Sequence, residues 1–210
     1  MINSKFVTAV ENACRSILAD LIVRDGWRAD ANVQGKLEIL ESVKSNKNND
    51  KTLRKIKENI EFSELLNEYR DNRVAGMNTP GLLIDRMSIL ICKAFLSVDA
   101  EKKRTDEQIA DIGTALQESS LSKHYLLEKE QVSSGDRVDD DEKSLAEVII
   151  DLHFSNIAMW VNQDLLYTSA PESASCDRLR EYLIFFKRSN ELRNQSIAQI
   201  DRIVTKQRDM

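Results

Sequence analysis

Proline and glycine are nearly missing from this chain, with two and six in 210 residues. So few turn formers cannot punctuate the many short strands of a sandwich or barrel. Cysteine is scarce too: Cys14, Cys92 and Cys176 lie far apart and no CxxC pair exists, which excludes a zinc knuckle, a redox dithiol and a disulfide framework. Small buried thiols in a reduced, cytoplasmic protein are expected instead. The two histidines, His124 and His153, follow Leu121 and Ile150 at the offset where carboxylate-bridged metal bundles place glutamate, so no metal and no cofactor is expected. A net charge of -5 with both signs mixed leaves no basic face for a phosphate backbone, which argues against nucleic acid. No apolar run reaches the roughly 20 residues of a membrane span, since Asp85, Arg86 and Lys93 interrupt the best candidate. The start, MINSKFVTAVENAC, has no uninterrupted apolar stretch of a signal peptide. There is no glycine-rich phosphate loop and no G-x-S-x-G elbow, so nucleophilic catalysis has no visible candidate.

What is present is helical. Hydrophobic residues at 41% and charged residues at 31% point to long amphipathic helices, and the fold class expected is all-α. Residues 1–210 read as a single domain: an antiparallel bundle of about four long helices over 51–208, with smaller helices around it and the N-terminal helices, 1–48, at its periphery. Asn3 or Ser4 can cap a first helix to Arg24 with Phe6, Val10, Ala13, Ile17 and Leu21 on its buried side. A shorter helix over 35–44 leads to the polar loop SNKNND, and 51–73 reads as a long helix through Leu53, Ile56, Ile60, Leu66 and Tyr69. Thr79 caps a helix whose first residue is Pro80, where a missing N–H matters least. Asp99 to Arg104 reads as a charged connection, with Thr105 or Asp106 capping the next helix through Ile109, Ile112 and Leu116. A short piece over 121–130 and the acidic loop SSGDRVDDDEK follow. Residues 144–168 are apolar nearly all round, which marks a central helix. After TSAPESAS the last helix, 176–207, carries a strict heptad: Leu179, Leu183, Phe186, Asn190, Arg193, Ile197, Ile200, Val204.

The chemistry worth following sits inside that apolar pattern. Three helices expected to be buried each place polar groups near mid-length: Asp85, Arg86 and Ser88 on one; His153, Asn156, Trp160 and Asp164 on another; Asn190, Arg193 and Asn194 on the last. Ions buried in a helical interior cost several kcal/mol each unless they are paired and hydrogen-bonded. Two readings stay open. One is a structural network that fixes helix register, as a seam asparagine does in coiled coils. The other is a polar pocket in which Arg193 grips a carboxylate or phosphate, Asn156 and Asn190 orient a hydroxyl-rich ligand and Trp160 stacks on it. His153 reads first as a hydrogen-bonded core residue and only second as a base.

Glu58-x-x-Glu61 and Glu68-x-x-Asp71 are faintly similar to the magnesium-binding carboxylates of all-α nucleotide pyrophosphohydrolases, but only six residues separate the pairs, so both would fall on one helix as an exposed charge face. Arg193-Asn194 is similar to the start of the arginine-to-histidine signature of helical nucleotide-binding ribonucleases, yet residues 197–200 are Ile-Ala-Gln-Ile and supply no histidine. Three blocks together, TPGLLIDRMSIL (79–90), LHFSNIAMWVNQD (152–164) and NELRNQSIAQID (190–201), resemble a group of uncharacterised bacterial helical proteins often encoded beside glycosyltransferases and other surface-polysaccharide genes. The resemblance singles out Thr79, Pro80, Gly81, Asp85, Arg86, Ser88, His153, Asn156, Trp160, Asp164, Asn190, Arg193 and Asn194, while Gln163 stands where the group has Glu and so removes one carboxylate. It implies a fold and a genomic setting rather than an activity.

Three functions remain in play. The first is a binding or accessory protein of surface-polysaccharide biosynthesis that takes an anionic or sugar-like ligand, or a partner, at the polar cluster. The second is an enzyme acting on a nucleotide sugar or related phosphate compound, with Asp164 or His153 as base and Arg193 as anion clamp. The third is an oligomeric scaffold in which the last helix pairs with another copy. A scaffold expects Arg193, Asp85 and Asp164 to satisfy one another in a closed, dry network; a binding protein expects an open pocket beside Trp160; an enzyme needs that pocket plus a base within reach of a bound atom.

Overall fold

The computed structural model describes residues 2–24, 51–61, 79–96, 99–118, 143–168 and 175–208. Among them are six helices: α1 (Ser4–Arg24), α2 (Lys51–Glu61), α3 (Pro80–Leu96), α4 (Asp99–Glu118), α5 (Leu145–Thr168) and α6 (Cys176–Arg208). The expected helices over 35–44 and 121–130, the continuation past Glu61, and most of the loops between them fall outside the described residues.

Three of these helices begin where the sequence supplies a cap. Asn3 opens α1: its Oδ1 accepts the Lys5 amide at 2.8 Å and its carbonyl accepts the Val7 amide at 3.2 Å. Thr79 opens α3, where its Oγ1 accepts the Leu82 amide at 3.3 Å ahead of Pro80. Ser144 opens α5 as half of a capping box, its Oγ accepting the Glu147 amide at 3.4 Å while Glu147 Oε2 accepts the Ser144 amide at 2.8 Å.

One apolar core joins all six helices. Packed around α3 are α1, α4, α5 and α6, and α5 in turn packs on α1, α2, α3 and α6. These two helices are therefore the least exposed: every residue from Leu152 to Ala158 is buried, which leaves α5 no solvent face over nearly two turns. The helix α1, expected at the periphery, contributes Phe6, Val10 and Ile17 to the same core.

Two expectations fail for identifiable reasons. The segment Asp99 to Arg104 is not a connection but the start of α4, and Thr105 is no cap: it is buried, with its hydroxyl donating to the Glu101 carbonyl at 2.8 Å one turn back. Glu, Lys and Arg are good helix formers, so a charged run without glycine or proline need not break a helix. The heptad of α6 forms a buried seam only towards its C-terminal end, where Ile197, Ile200 and Val204 are buried, whereas Leu183 is 71% exposed. Length explains it: α6 has 33 residues against 17 in α3, about 50 Å against about 26 Å. Phe95, near the end of α3, is likewise exposed.

Candidate functional site

Five of the polar residues that stand out in the sequence, Asp85, Ser88, His153, Asn156 and Arg193, meet between α1, α3, α5 and α6. Capping by Thr79 and Pro80 fixes the phase of α3 so that Asp85 and Ser88, one turn apart, both face inward and are buried. Arg193 of α6 grips Asp85 in a fork, with Nε donating to Oδ1 at 2.7 Å and Nη2 donating to Oδ2 at 2.5 Å. Asn156 of α5 adds a third bond to the carboxylate, Nδ2 to Oδ1 at 3.0 Å, and also reaches Ser88 Oγ at 3.1 Å. Three charge-assisted bonds compensate a carboxylate that is 2% exposed. The arginine is 27% exposed and its charge is held more firmly than usual, first by the hydrogen bonding it donates to Asp85.

From Ser88 the network continues to His153, whose Nδ1 lies 2.7 Å from Ser88 Oγ and whose Nε2 lies 3.0 Å from the Cys14 carbonyl oxygen of α1. A carbonyl can only accept, so Nε2 carries the proton and Nδ1 accepts from the Ser88 hydroxyl. Every direction then follows: Asn156 donates to Ser88, Ser88 to His153, His153 to Cys14. A charged imidazolium would reverse the Ser88 bond while Asn156 still pointed an N–H at the same oxygen. Burial accordingly lowers the His153 pKa to about 4, so the ring is neutral at pH 7. The thiols nearby are inert for the same reason: burial pushes Cys92 up to about 12 and Cys14 higher still.

Asn156 Oδ1 and, one turn further along α5, Trp160 Nε1 are buried and have no hydrogen-bond partner. Of the other residues singled out by sequence, Arg86, Asn190 and Asn194 are exposed, and Asp164 lies on α5 with its side chain outside the described part. The four carboxylates read as a charge face are described only at Glu58 and Glu61, both exposed on α2. Among the described residues no group of three His, Cys, Asp or Glu side chains is placed to hold a metal ion, and no helix is long and apolar enough to cross a membrane. A groove of about 470 Å³ between α1 and α2, lined by small polar side chains such as Ser4, Thr8, Asn12 and Ser16, shares no residue with the polar cluster.

Some contributors were invisible or overlooked in sequence. The Cys14 carbonyl is backbone and carries no sequence signal. Asp201 is wholly buried and its Oδ1 accepts the Gly81 amide at 2.7 Å, so a side chain from α6 caps the start of α3 from across the interface. Its signal was available, a carboxylate flanked by Ile197, Ile200 and Val204. The S-x-x-E spacing of Ser144 and Glu147 was another. Lys57 of α2 then reaches Glu147 Oε1 at 2.9 Å, tying the start of α5 to α2.

The chain is thus an all-α protein whose helices are cross-linked by a buried polar network. No family model, no curated protein and no solved structure matches it.

Proposed function

We propose that the protein is a binding or accessory protein of the cytoplasm, an antiparallel bundle of about four long helices that holds a small hydroxyl-bearing or anionic ligand at the Asn156–Trp160–Arg193 end of its polar network. The observation that carries this is that two buried atoms on successive turns of α5, Asn156 Oδ1 and Trp160 Nε1, make no hydrogen bond, beside a network in which Asp85, Ser88 and His153 are matched bond for bond. A buried polar atom left unsatisfied costs about 1–3 kcal/mol, which a ligand bond at that place would offset. The resemblance to helical proteins encoded beside glycosyltransferases agrees with a sugar-like ligand and a place in surface-polysaccharide biosynthesis. For an enzyme on a nucleotide sugar, His153 is a poor base because both of its ring nitrogens are engaged, which leaves Asp164, whose side chain lies outside the described part, as the base that reading would need.

The test is a thermal-shift screen of the full chain against nucleotide sugars, monosaccharides, nucleotides, inorganic phosphate and divalent ions, repeated on Trp160→Phe. Stabilisation by one compound class, diminished in the variant, supports the reading. Flat melting temperatures across the panel sink it. A second reading, an oligomeric scaffold, draws on the exposure of Leu183, Ile184 and Leu192 on α6, and sedimentation at low and high protein concentration checks it.

A further inference from the structure

Resting on the proposed ligand-binding role, the geometry points to a narrower conclusion: the seat at Asn156 and Trp160 takes one uncharged hydroxyl of a sugar or polyol, and Arg193 is not an anion clamp. Asn156 spends its amide N–H bonds on Asp85 and Ser88, so only its carbonyl oxygen, an acceptor, remains. Trp160 offers an indole N–H, a donor only. Residues four apart on a helix are neighbours, and a long helical side chain leans back over the preceding turn, which brings the indole of Trp160 over Asn156. An acceptor beside a donor is the complement of an O–H group, which donates to Asn156 Oδ1 and accepts from Trp160 Nε1 through one oxygen. A carboxylate or sulfate oxygen could accept from the indole but has no hydrogen for Asn156, and two acceptors would face each other. Asn156 itself is 3% exposed, so that mismatch would be buried.

The charge balance points the same way. Arg193 would be the attraction for an anion, but its positive charge is matched by Asp85 through two of its five N–H groups. An anion arriving there meets a neutral pair with a carboxylate behind it. The remaining guanidinium N–H groups, on a side chain 27% exposed, suit further neutral hydroxyl oxygens. Trp160 is partly buried and packs against the core, so part of its ring remains for the apolar C–H face of a sugar.

The indole N–H resonance of Trp160 reads the seat directly. It is assigned in the ¹⁵N-labelled full chain by its loss in Trp160→Phe, which separates it from Trp27. Glucose, galactose and glycerol serve as hydroxyl probes; sulfate and succinate, which carry no hydroxyl at neutral pH, serve as anionic probes at matched ionic strength. The expected result is a saturable shift of the Trp160 signal with at least one hydroxyl probe and none with sulfate or succinate. Trp160→Phe, which keeps an aromatic ring and removes the donor, should weaken the same probe about tenfold as read from the backbone amide shifts around Asn156, the loss of one hydrogen bond. A saturable shift with sulfate or succinate but with no sugar overturns the hydroxyl assignment and leaves the binding role standing. Silence with every probe overturns both. Should Trp160→Phe fail to fold, the titration of the unmodified chain still decides.

Discussion

Asp85 and Arg193 lie 108 residues apart in sequence and join α3 to α6 through two parallel hydrogen bonds. Because Asp85 is 2% exposed and Arg193 is 27% exposed, the partners are unequal: removing the arginine strands a buried carboxylate, while removing the carboxylate frees a side chain that can turn to water. Arg193→Met is therefore expected to destabilise by about 3 kcal/mol or more, and Asp85→Leu by less. The double variant should be more stable than Arg193→Met alone, because its charges leave together. Urea unfolding of the four proteins in the cycle checks this, and a double variant as weak as the sum of the singles would refute the pairing.

At Gly81 the helices approach so closely that the absence of a side chain matters. A Cβ built there would stand 3.0 Å from Asp201 Oδ1 and press on the Ile197 carbonyl oxygen at less than any normal contact. Gly81→Ala must push α6 away and stretch the 2.7 Å bond from the Gly81 amide to Asp201, with an expected loss of about 1–3 kcal/mol. Gly113 is the control. A Cβ there meets Val7 Cγ1 at 3.4 Å, ordinary van der Waals contact, so Gly113→Ala should gain up to about 1 kcal/mol from helix propensity. Melting temperatures that move the same way in both variants would count against a special role for Gly81.

These contacts show what sequence could and could not reveal. The all-helical class, the caps at Asn3 and Thr79 and the burial of α3 and α5 all follow from local patterns: an Asx or hydroxyl before an apolar run, a proline in the first turn, and apolar residues on every side. Asp85, Asn156 and Arg193 were legible as a group because charge in the middle of an apolar helix is costly enough to need partners. Their pairing was not legible, since Arg86 beside Asp85 has equal chemistry and only the helix phase turns it outward. The heptad of α6 misled because periodicity records which residues share a face and says nothing of whether a neighbour is long enough to cover it. Leu183 satisfies the pattern as well as Ile197 does, yet one is exposed and the other buried.

His153 makes stability depend on pH. Burial lowers its pKa from 6.5 to about 4, so between those values the unfolded chain binds a proton that the folded chain refuses. Stability is then full above about pH 6.5 and declines as pH falls towards 4, by roughly 3 kcal/mol at the end of the window. His153→Gln keeps an acceptor and a donor but cannot titrate. It is expected to lower stability at pH 7 and to flatten the decline between pH 6.5 and 4. Urea midpoints at pH 7, 5.5 and 4.5 for both proteins give the comparison, and equal slopes in the two would remove His153 as the cause.

Below that window a second group takes over at the other end of α5. Glu147 accepts from Lys57 and from the Ser144 amide and hydroxyl, and these bonds, with Lys57 the largest influence, hold its carboxyl at about 2 instead of 4.5. Its contribution is complete above pH 4.5 and is lost as pH falls towards 2, the range in which the carboxylate protonates and releases both partners. Glu147→Gln retains the capping geometry but not the charge, so it should weaken the link to α2 and erase this lower phase. Ser144→Ala removes the cap itself, at about 1 kcal/mol, and should do so at pH 7 as well. Because the pair is part-exposed, added salt should shrink the effect of Glu147→Gln while leaving that of Ser144→Ala nearly unchanged. Unfolding of each variant at pH 7 and pH 3, with and without 0.5 M salt, separates the cap from the ion pair; a salt-insensitive Glu147→Gln would assign the whole effect to the cap.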